Sequence, residues 1–166
     1  MSCSEGQSIL TIRHLPVAEE PTFQVIRGDG KQVGTAPIPS PHEHPVEGRP
    51  RSDLMRELQW YLEEFLDYPF SPETDHARRV LDALRDWGEA AFNAVFDNRG
   101  AGGMYDECTH EGYAALRLRV AADDPEVLAW PWEALRDPSG GYVGQLCRVE
   151  RRVEGDVRDP QPLPEG

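Results

Sequence analysis

Lysine is nearly missing from this chain: Lys31 is the single one among 17 basic residues, which against 30 acidic residues leave a formal net charge of −13. A surface of that sign repels phosphate backbones, and no basic stripe with interleaved aromatics interrupts it, so no nucleic-acid partner is expected. Cysteine is scarce as well. Cys3, Cys108 and Cys147 are odd in number and widely spaced, with no Cys-x-x-Cys pair, which argues against a disulfide framework and a zinc knuckle alike and predicts reduced thiols. No apolar run approaches the length of a membrane span, and Met1 to Ser8 lacks a basic region followed by an apolar one. A cytoplasmic protein without membrane contact is the expectation. The replacement of lysine by arginine fits high-GC bacterial codon usage.

What is present is one domain's length, 166 residues, 39% hydrophobic and 28% charged, with 15 Gly and 15 Pro. That predicts a globular middle with proline-rich ends. The chain is organised around residues 116–145. Leu116, Leu118 and Val120 alternate with Arg117 and Arg119, the period of a strand buried on one face. Asp124 offers an oxygen to the open amides of a helix start, and Pro125 fits the first helical position. Trp130 precedes a proline and is biased out of the α region, so Pro131 restarts the chain as a second short helix carrying Trp132, Glu133, Ala134 and Leu135. Asp137 to Gly141 supplies a turn, and Tyr142 with Val143 reads as the next strand.

Upstream, Ser8–His14 and Thr22–Arg27 are β-rich runs with a turn signal at Gly28-Asp-Gly-Lys31, predicting an N-terminal strand pair over 1–34. Pro37, Pro39, Pro41 and Pro45 predict an extended, mobile linker over 35–50. An α+β domain follows over 51–153. Its first helix runs from about Asp53 to Asp67, with Leu54, Leu58, Tyr61, Leu62 and Phe65 on one face, and ends at Tyr68-Pro69. Ser71-Pro72-Glu73 starts a second helix, whose apolar face is Val80, Leu84, Trp87, Ala91 and Val95 and whose Gly88 costs about 1 kcal/mol relative to alanine. Asn98 to Gly103 is expected to stop it and loop back. Leu146 to Val153 reads as an imperfectly alternating strand, and 154–166 as a disordered tail or linker.

The run DDPEVLAWPWEALRDPSGGYVGQLCRVERRVEG, with the upstream ELQWYLEEFLDYPFSPETDHARRVLDALRDWGEAAFNAVF, resembles the region preceding the protease core in bacterial CHAT proteins. These are the caspase-like cysteine proteases associated with tetratricopeptide repeats. The resemblance covers roughly residues 52–166, and its most specific part is the Asp-Asp-Pro-Glu-Val-Leu-Ala-x-Pro-Trp-Glu-x-Leu-Arg-Asp-Pro pattern. It implies a pre-catalytic region whose tail would lead into the first strand of the core. The family's catalytic His and Cys would lie beyond Gly166, and their pattern carries over to no residue here.

The residues agree with that reading. Cys108-Thr-His110 is the one place where thiol and imidazole are close, but residues two apart point to different sides of a helix and sit roughly 6 to 7 Å apart on a strand. Asp106, Glu107 and Glu111 surround the thiol, whereas a nucleophilic cysteine needs cationic surroundings. His42-Glu-His44 offers two imidazoles where zinc takes three or four protein ligands, so a solvated linker is expected instead. Gly100 to Gly103 lacks a phosphate loop's lysine and follows a helix. No catalytic, cofactor or metal residue is therefore assigned, and no cofactor is expected.

Trp130, Pro131, Trp132 and Glu133 are the candidate interaction residues. One reading makes Trp132 core and Glu133 a helix-start carboxylate; the other makes a tryptophan the anchor of a partner surface. The expected fold is α+β: a small mixed or antiparallel sheet, two long helices on one face, and flexible proline-rich termini. The expected function is a non-catalytic interaction or regulatory module whose partner is a protein, either a caspase-like protease core or a tetratricopeptide-repeat or sensor domain. A small cysteine hydrolase using Cys108 and a free-standing structural or adaptor protein are the alternatives.

Overall fold

A computed structural model describes residues 8–16, 19–67, 69 and 72–155. Strands β1 (Ile9–Leu15), β2 (Thr22–Arg27) and β3 (Gln32–Pro37) form an antiparallel meander. Three helical stretches follow: α1 (Leu54–Trp60), continued by a π-helical turn over Tyr61–Phe65; α2 (Thr74–Phe96); and α3 (Arg99–Thr109). The chain then returns as β4 (Arg117–Ala122), parallel to β1 with Ile9 opposite Arg117. After helix α4 (Pro125–Leu128), a 3₁₀ turn over Trp132–Ala134, the small hairpin β5 (Arg136–Asp137) and β6 (Gly141–Tyr142), and helix α5 (Val143–Leu146), strand β7 (Arg148–Val153) joins β4 in parallel. The sheet order is β3-β2-β1-β4-β7. The fold is α+β with a mixed sheet.

Alternation decides which side of this sheet is covered. Leu10, Ile12, Phe23, Val25, Leu118, Val120 and Ala122 are buried and share one face, on which α2 and α3 lie. Helix α1 leans on α2, where buried Glu57 accepts a hydrogen bond from His76 at 2.6 Å and Trp60 packs on the imidazole at 4.4 Å. The opposite face carries Arg13, Arg117, Arg119, Arg148 and Arg152, and no described helix lies over it. Charged and apolar residues thus alternate along β4 because its two sides meet different media.

Several boundaries differ from the sequence reading. The strand pair is not a separate unit, since β1 is the centre of the sheet, bonded to β2 on one side and β4 on the other. Nor is 35–50 an extended linker: Ile38 and Val46 are buried, the Pro39 carbonyl accepts from the Trp87 indole at 2.8 Å, and the His44 carbonyl accepts from Leu54 N–H at 3.0 Å. Proline removes a donor but leaves a carbonyl acceptor, and two apolar side chains suffice to pin the segment. Helix α2 does stop at Phe96, just before Asn98, but no loop follows, because the Asn98 side chain accepts from Ala101 N–H at 2.8 Å and starts α3. The following glycines let that helix begin tight against its neighbours, for a methyl on Gly102 would lie 2.5 Å from the Phe96 carbonyl oxygen. Val143 opens α5 rather than extending a strand. The cap expected at Asp124 is present, accepting from Glu126 N–H, and Asp53, the expected start of the first helix, caps α1 by accepting from Arg56 N–H. The expected cap at Ser71 and stop at Tyr68, the mobility of residues 1–6, and the disorder and mobility of 156–166 lie outside the described residues.

Gly88 has a packing cause. A methyl group on its α-carbon would overlap the Ala134 carbonyl oxygen, where α2 crosses the 3₁₀ turn. Gly88→Ala is therefore expected to destabilise the domain by more than about 1 kcal/mol, although alanine gains about 1 kcal/mol of helix propensity. Urea denaturation checks the sign: a variant as stable as the parent, or more so, would show that the turn can retreat.

Candidate functional site

The Trp130–Glu133 turn is built from both of its ends. Asp124 and Pro125 start α4, and the Leu128 and Trp130 carbonyls at the end of this short helix point away from it. Pro131 cannot donate a hydrogen bond, so the chain breaks and restarts as the 3₁₀ turn, closed by Ala134 N–H to the Pro131 carbonyl at 2.8 Å. Trp132 is 0% exposed, and its indole N–H donates back to the Val127 carbonyl at 2.8 Å. Trp130 is 2% exposed and stacks on Trp132 with centroids 5.5 Å apart and planes at 23°. Phe23 meets Trp132 edge-on at 5.4 Å, and Trp87 meets Trp130 at 6.4 Å and 90°. These are the offset and edge-to-face arrangements that aromatic quadrupoles favour.

The four candidate interaction residues are thus brought together but divided by burial. Trp130 and Trp132 belong to the core, which removes them as surface anchors; their apolar area is already taken up by Phe23 and Trp87. Pro131 is half-buried and Glu133 exposed. Glu133 does not act as a helix-start carboxylate alone. It forms a two-pronged ion pair with Arg151 of β7, whose Nη2 lies 2.7 Å from Glu133 Oε2 and whose Nη1 bonds Oε1. The same guanidinium donates from Nε to the Leu128 carbonyl at 2.7 Å and from Nη2 to the Trp130 carbonyl at 3.2 Å. One arginine therefore serves the Leu128 carbonyl at the end of α4, adds a second donor to the Trp130 carbonyl, which already accepts from Trp132 N–H at 2.8 Å, and pairs with a carboxylate, tying β7 to the turn. Hydrogen bonding to Arg151 holds the Glu133 carboxyl below the usual carboxylate range, and the same contact raises Arg151.

Arg151 is the residue that sequence reading missed. The signal was its register: it sits between Val149 and Val153 on β7, in the row of Ile12 and Val120, where an apolar side chain would complete the alternation.

The thiols are placed differently. Cys108 lies in α3 at 5% exposure, on the side facing the core, while His110 caps the end of that helix. Cys147 precedes β7, and burial pushes its thiol up to about 11, opposite to the direction that produces a thiolate nucleophile. Buried Asp137 is fully occupied: it accepts from the Tyr105 and Tyr113 hydroxyls, each at 2.9 Å, and from Ser139 N–H at 2.8 Å. Burial first and this carboxylate second raise Tyr105, while for Tyr113 the Asp137 hydrogen bond leads. His42 is exposed, and His44 is half-buried with its charged form disfavoured by that burial. Among the described residues no group of three or more His, Cys, Asp or Glu side chains is placed to hold a metal ion. No described helix is long and apolar enough to cross a membrane.

Two surface features remain. An open cleft of about 740 Å³ lies at the ends of β1 and β4, lined among others by Arg13, His14, Asp123, Asp124 and Glu154. Two of its acids are engaged, Asp124 as a cap and Glu154 with Arg13 at 2.9 Å. The other is the uncovered sheet face, where Glu150 pairs with Arg148 at 3.1 Å, Arg119 at 3.5 Å and Arg117 at 3.7 Å, so one carboxylate faces three guanidinium groups. No family model, no curated protein and no solved structure matches the chain.

Substitutions in the turn separate its apolar and polar parts. Trp132→Ala removes a fully buried indole and should cost roughly 3 to 5 kcal/mol in chemical denaturation; an unchanged midpoint would contradict its place in the core. Arg151→Met leaves the Leu128 carbonyl without this donor and the exposed Glu133 carboxylate without its ion pair, and should cost about 1 to 2 kcal/mol, whereas Glu133→Gln, keeping one acceptor for the guanidinium, should cost about 1 kcal/mol or less. Because the Glu133 carboxyl is lowered in the fold, its contribution is present above the usual carboxylate value and lost as pH falls through the lowered one. Melting curves between pH 7 and strongly acidic pH should therefore converge for Glu133→Gln and the parent at the acid end.

Proposed function

We propose that the chain is a non-catalytic interaction or regulatory module, resembling the N-terminal part of CHAT-type caspase-like cysteine proteases and working in a bacterial cytoplasm. The single observation that carries this reading is the one-sided sheet. Five strands bury one face under helices and leave the other uncovered by any described element, with Arg13, Arg117, Arg119, Arg148 and Arg152 gathered there in a protein whose net charge is −13. Concentrating positive charge on one flat face of an acidic molecule favours and orients an acidic partner surface. The partner is a caspase-like protease core or a tetratricopeptide-repeat or sensor domain with such a surface. The contact residues move from the tryptophans to these arginines. A hydrolase using Cys108 has less support, because a thiol at 5% exposure in a helix facing the core offers no approach to a substrate.

The test supplies a purified CHAT-type protease core or its tetratricopeptide-repeat domain in trans and measures association by calorimetry at low and high salt. Binding that weakens with salt, and weakens about tenfold or more in Arg117→Glu/Arg119→Glu with the melting temperature held, supports the reading. Absence of binding to both kinds of domain at low salt sinks it. Cleavage of a diverse peptide library that disappears in Cys108→Ala would instead establish the hydrolase.

A further inference from the structure

The two edges of the sheet are finished differently. At the β3 edge the pairing with β2 is irregular between Gln24 and Ile26, and Pro37 ends the strand, both of which discourage further pairing. At the other edge, β7 pairs in unbroken register with β4 from Arg148 to Val153, and the Glu154 N–H extends the ladder to the Ala122 carbonyl at 3.1 Å. Since Glu154 turns its amide toward β4, alternation turns those of Arg148, Glu150 and Arg152 the same way. The backbone groups of Val149, Arg151 and Val153 then point outward, along an edge to which no described strand bonds.

Residues 148–154 read Arg-Val-Glu-Arg-Arg-Val-Glu, and this order is complementary to its own reverse. Laid antiparallel on itself about Arg151, it sets Arg148 against Glu154, Val149 against Val153, and Glu150 against Arg152. The outward-pointing residues oppose one another, as hydrogen-bonded pairs require: Val149 meets Val153, and Arg151 meets Arg151. The charged pairs fall at the non-hydrogen-bonded positions, where α-carbons come within about 4.5 Å and side chains are nearest. All four charged positions project from the uncovered face, while Val149, Arg151 and Val153 share the covered side. Shifting the register by one pair of residues in either direction brings Glu150 against Glu150 with Arg148 against Arg152, or Arg152 against Arg152 with Glu150 against Glu154. Both shifts oppose like charges, so charge favours this register over its two neighbours, and registers shifted further pair fewer residues. The facing Arg151 pair is already neutralised, because each guanidinium is held by the Glu133 of its own chain. Val153, 66% exposed and one of the few large apolar side chains so placed, gains an apolar neighbour.

We propose that β7 is a self-recognition edge: two copies of the chain pair their β7 strands antiparallel about a two-fold axis at Arg151, joining their sheets into one. The pairing leaves the arginine-bearing faces on the same side of the joined sheet and does not depend on which partner that face takes. A contact of this size falls in the weak, concentration-dependent class of associations.

Sedimentation analysis of the whole chain over a concentration series tests this. The parent should shift from monomer to dimer mass as concentration rises. Arg152→Glu places a second carboxylate opposite Glu150 across the axis and should weaken dimerisation about tenfold or more; Glu150→Arg should do the same by opposing arginines. An equimolar mixture of these two variants restores opposite charges at both positions, and should recover the dimer that neither forms alone. Val153→Pro is the check that spares the ladder to β4, for it removes only an outward amide; it should give a monomer with an unchanged melting temperature. A parent that stays monomeric throughout the series overturns the proposal. So does a dimer indifferent to Arg152→Glu and Val153→Pro, or a variant mixture that fails to associate while each variant melts like the parent.

Discussion

Four aromatic side chains from three distant parts of the chain, Phe23, Trp87, Trp130 and Trp132, interlock at the centre of this molecule. Strand β2, helix α2 and the turn before β5 have no other reason to meet at the angles they adopt. Each indole must also place its N–H. Trp87 reaches the Pro39 carbonyl and Trp132 the Val127 carbonyl, so the same cluster that fills the core fixes the path of the proline-rich segment and the curl of α4. The tight approach of Gly88 to Ala134 follows, because Trp87 and its neighbour must both lie flat against the turn.

Around this centre, charge does a different task. Arg151 neutralises the dipole ends and the carboxylate of the turn from the neighbouring strand, and Arg27 reaches from β2 to Glu107 on α3. These are bridges between elements that the apolar core alone would leave free to slide. Their individual worth is modest where solvent reaches them, yet they select one register and one docking angle among several that would bury similar apolar area.

Much of this arrangement was legible in the sequence. The alternation of Leu116, Leu118 and Val120 gave strand β4, Asp124-Pro125 gave the start of α4, and the spacing of Val80, Trp87 and Val95 gave the face of α2, because each depends on local periodicity or capping chemistry. What depends on distant partners was not legible. The glycines after Asn98 look like a stop, and only the nearness of β3 and the end of α2 makes a glycine-rich helix start favourable. The prolines at 37, 39, 41 and 45 look like a linker until Trp87 supplies a donor for one of their carbonyls. A tryptophan pair in a Trp-Pro-Trp run reads equally as anchor or as core, and burial by Phe23, far upstream in the chain, decides it. Arg151 broke a pattern of apolar residues without announcing that its acceptors were carbonyls.

The parallel pairing of β1 with β4 has a consequence for how the protein is made. Ile9 leaves the ribosome long before its neighbour Arg117, and at about 5 to 20 residues per second the interval is roughly 5 to 20 seconds. During that time the β1-β2-β3 meander can form, and α2 and α3 can cover its apolar face as they emerge. The edge of β1 that β4 will occupy stays open until the chain has passed Ala122. For those seconds the nascent chain carries a regular, unprotected strand edge, the kind of surface that pairs with other chains, and holdase chaperones have their best opportunity there.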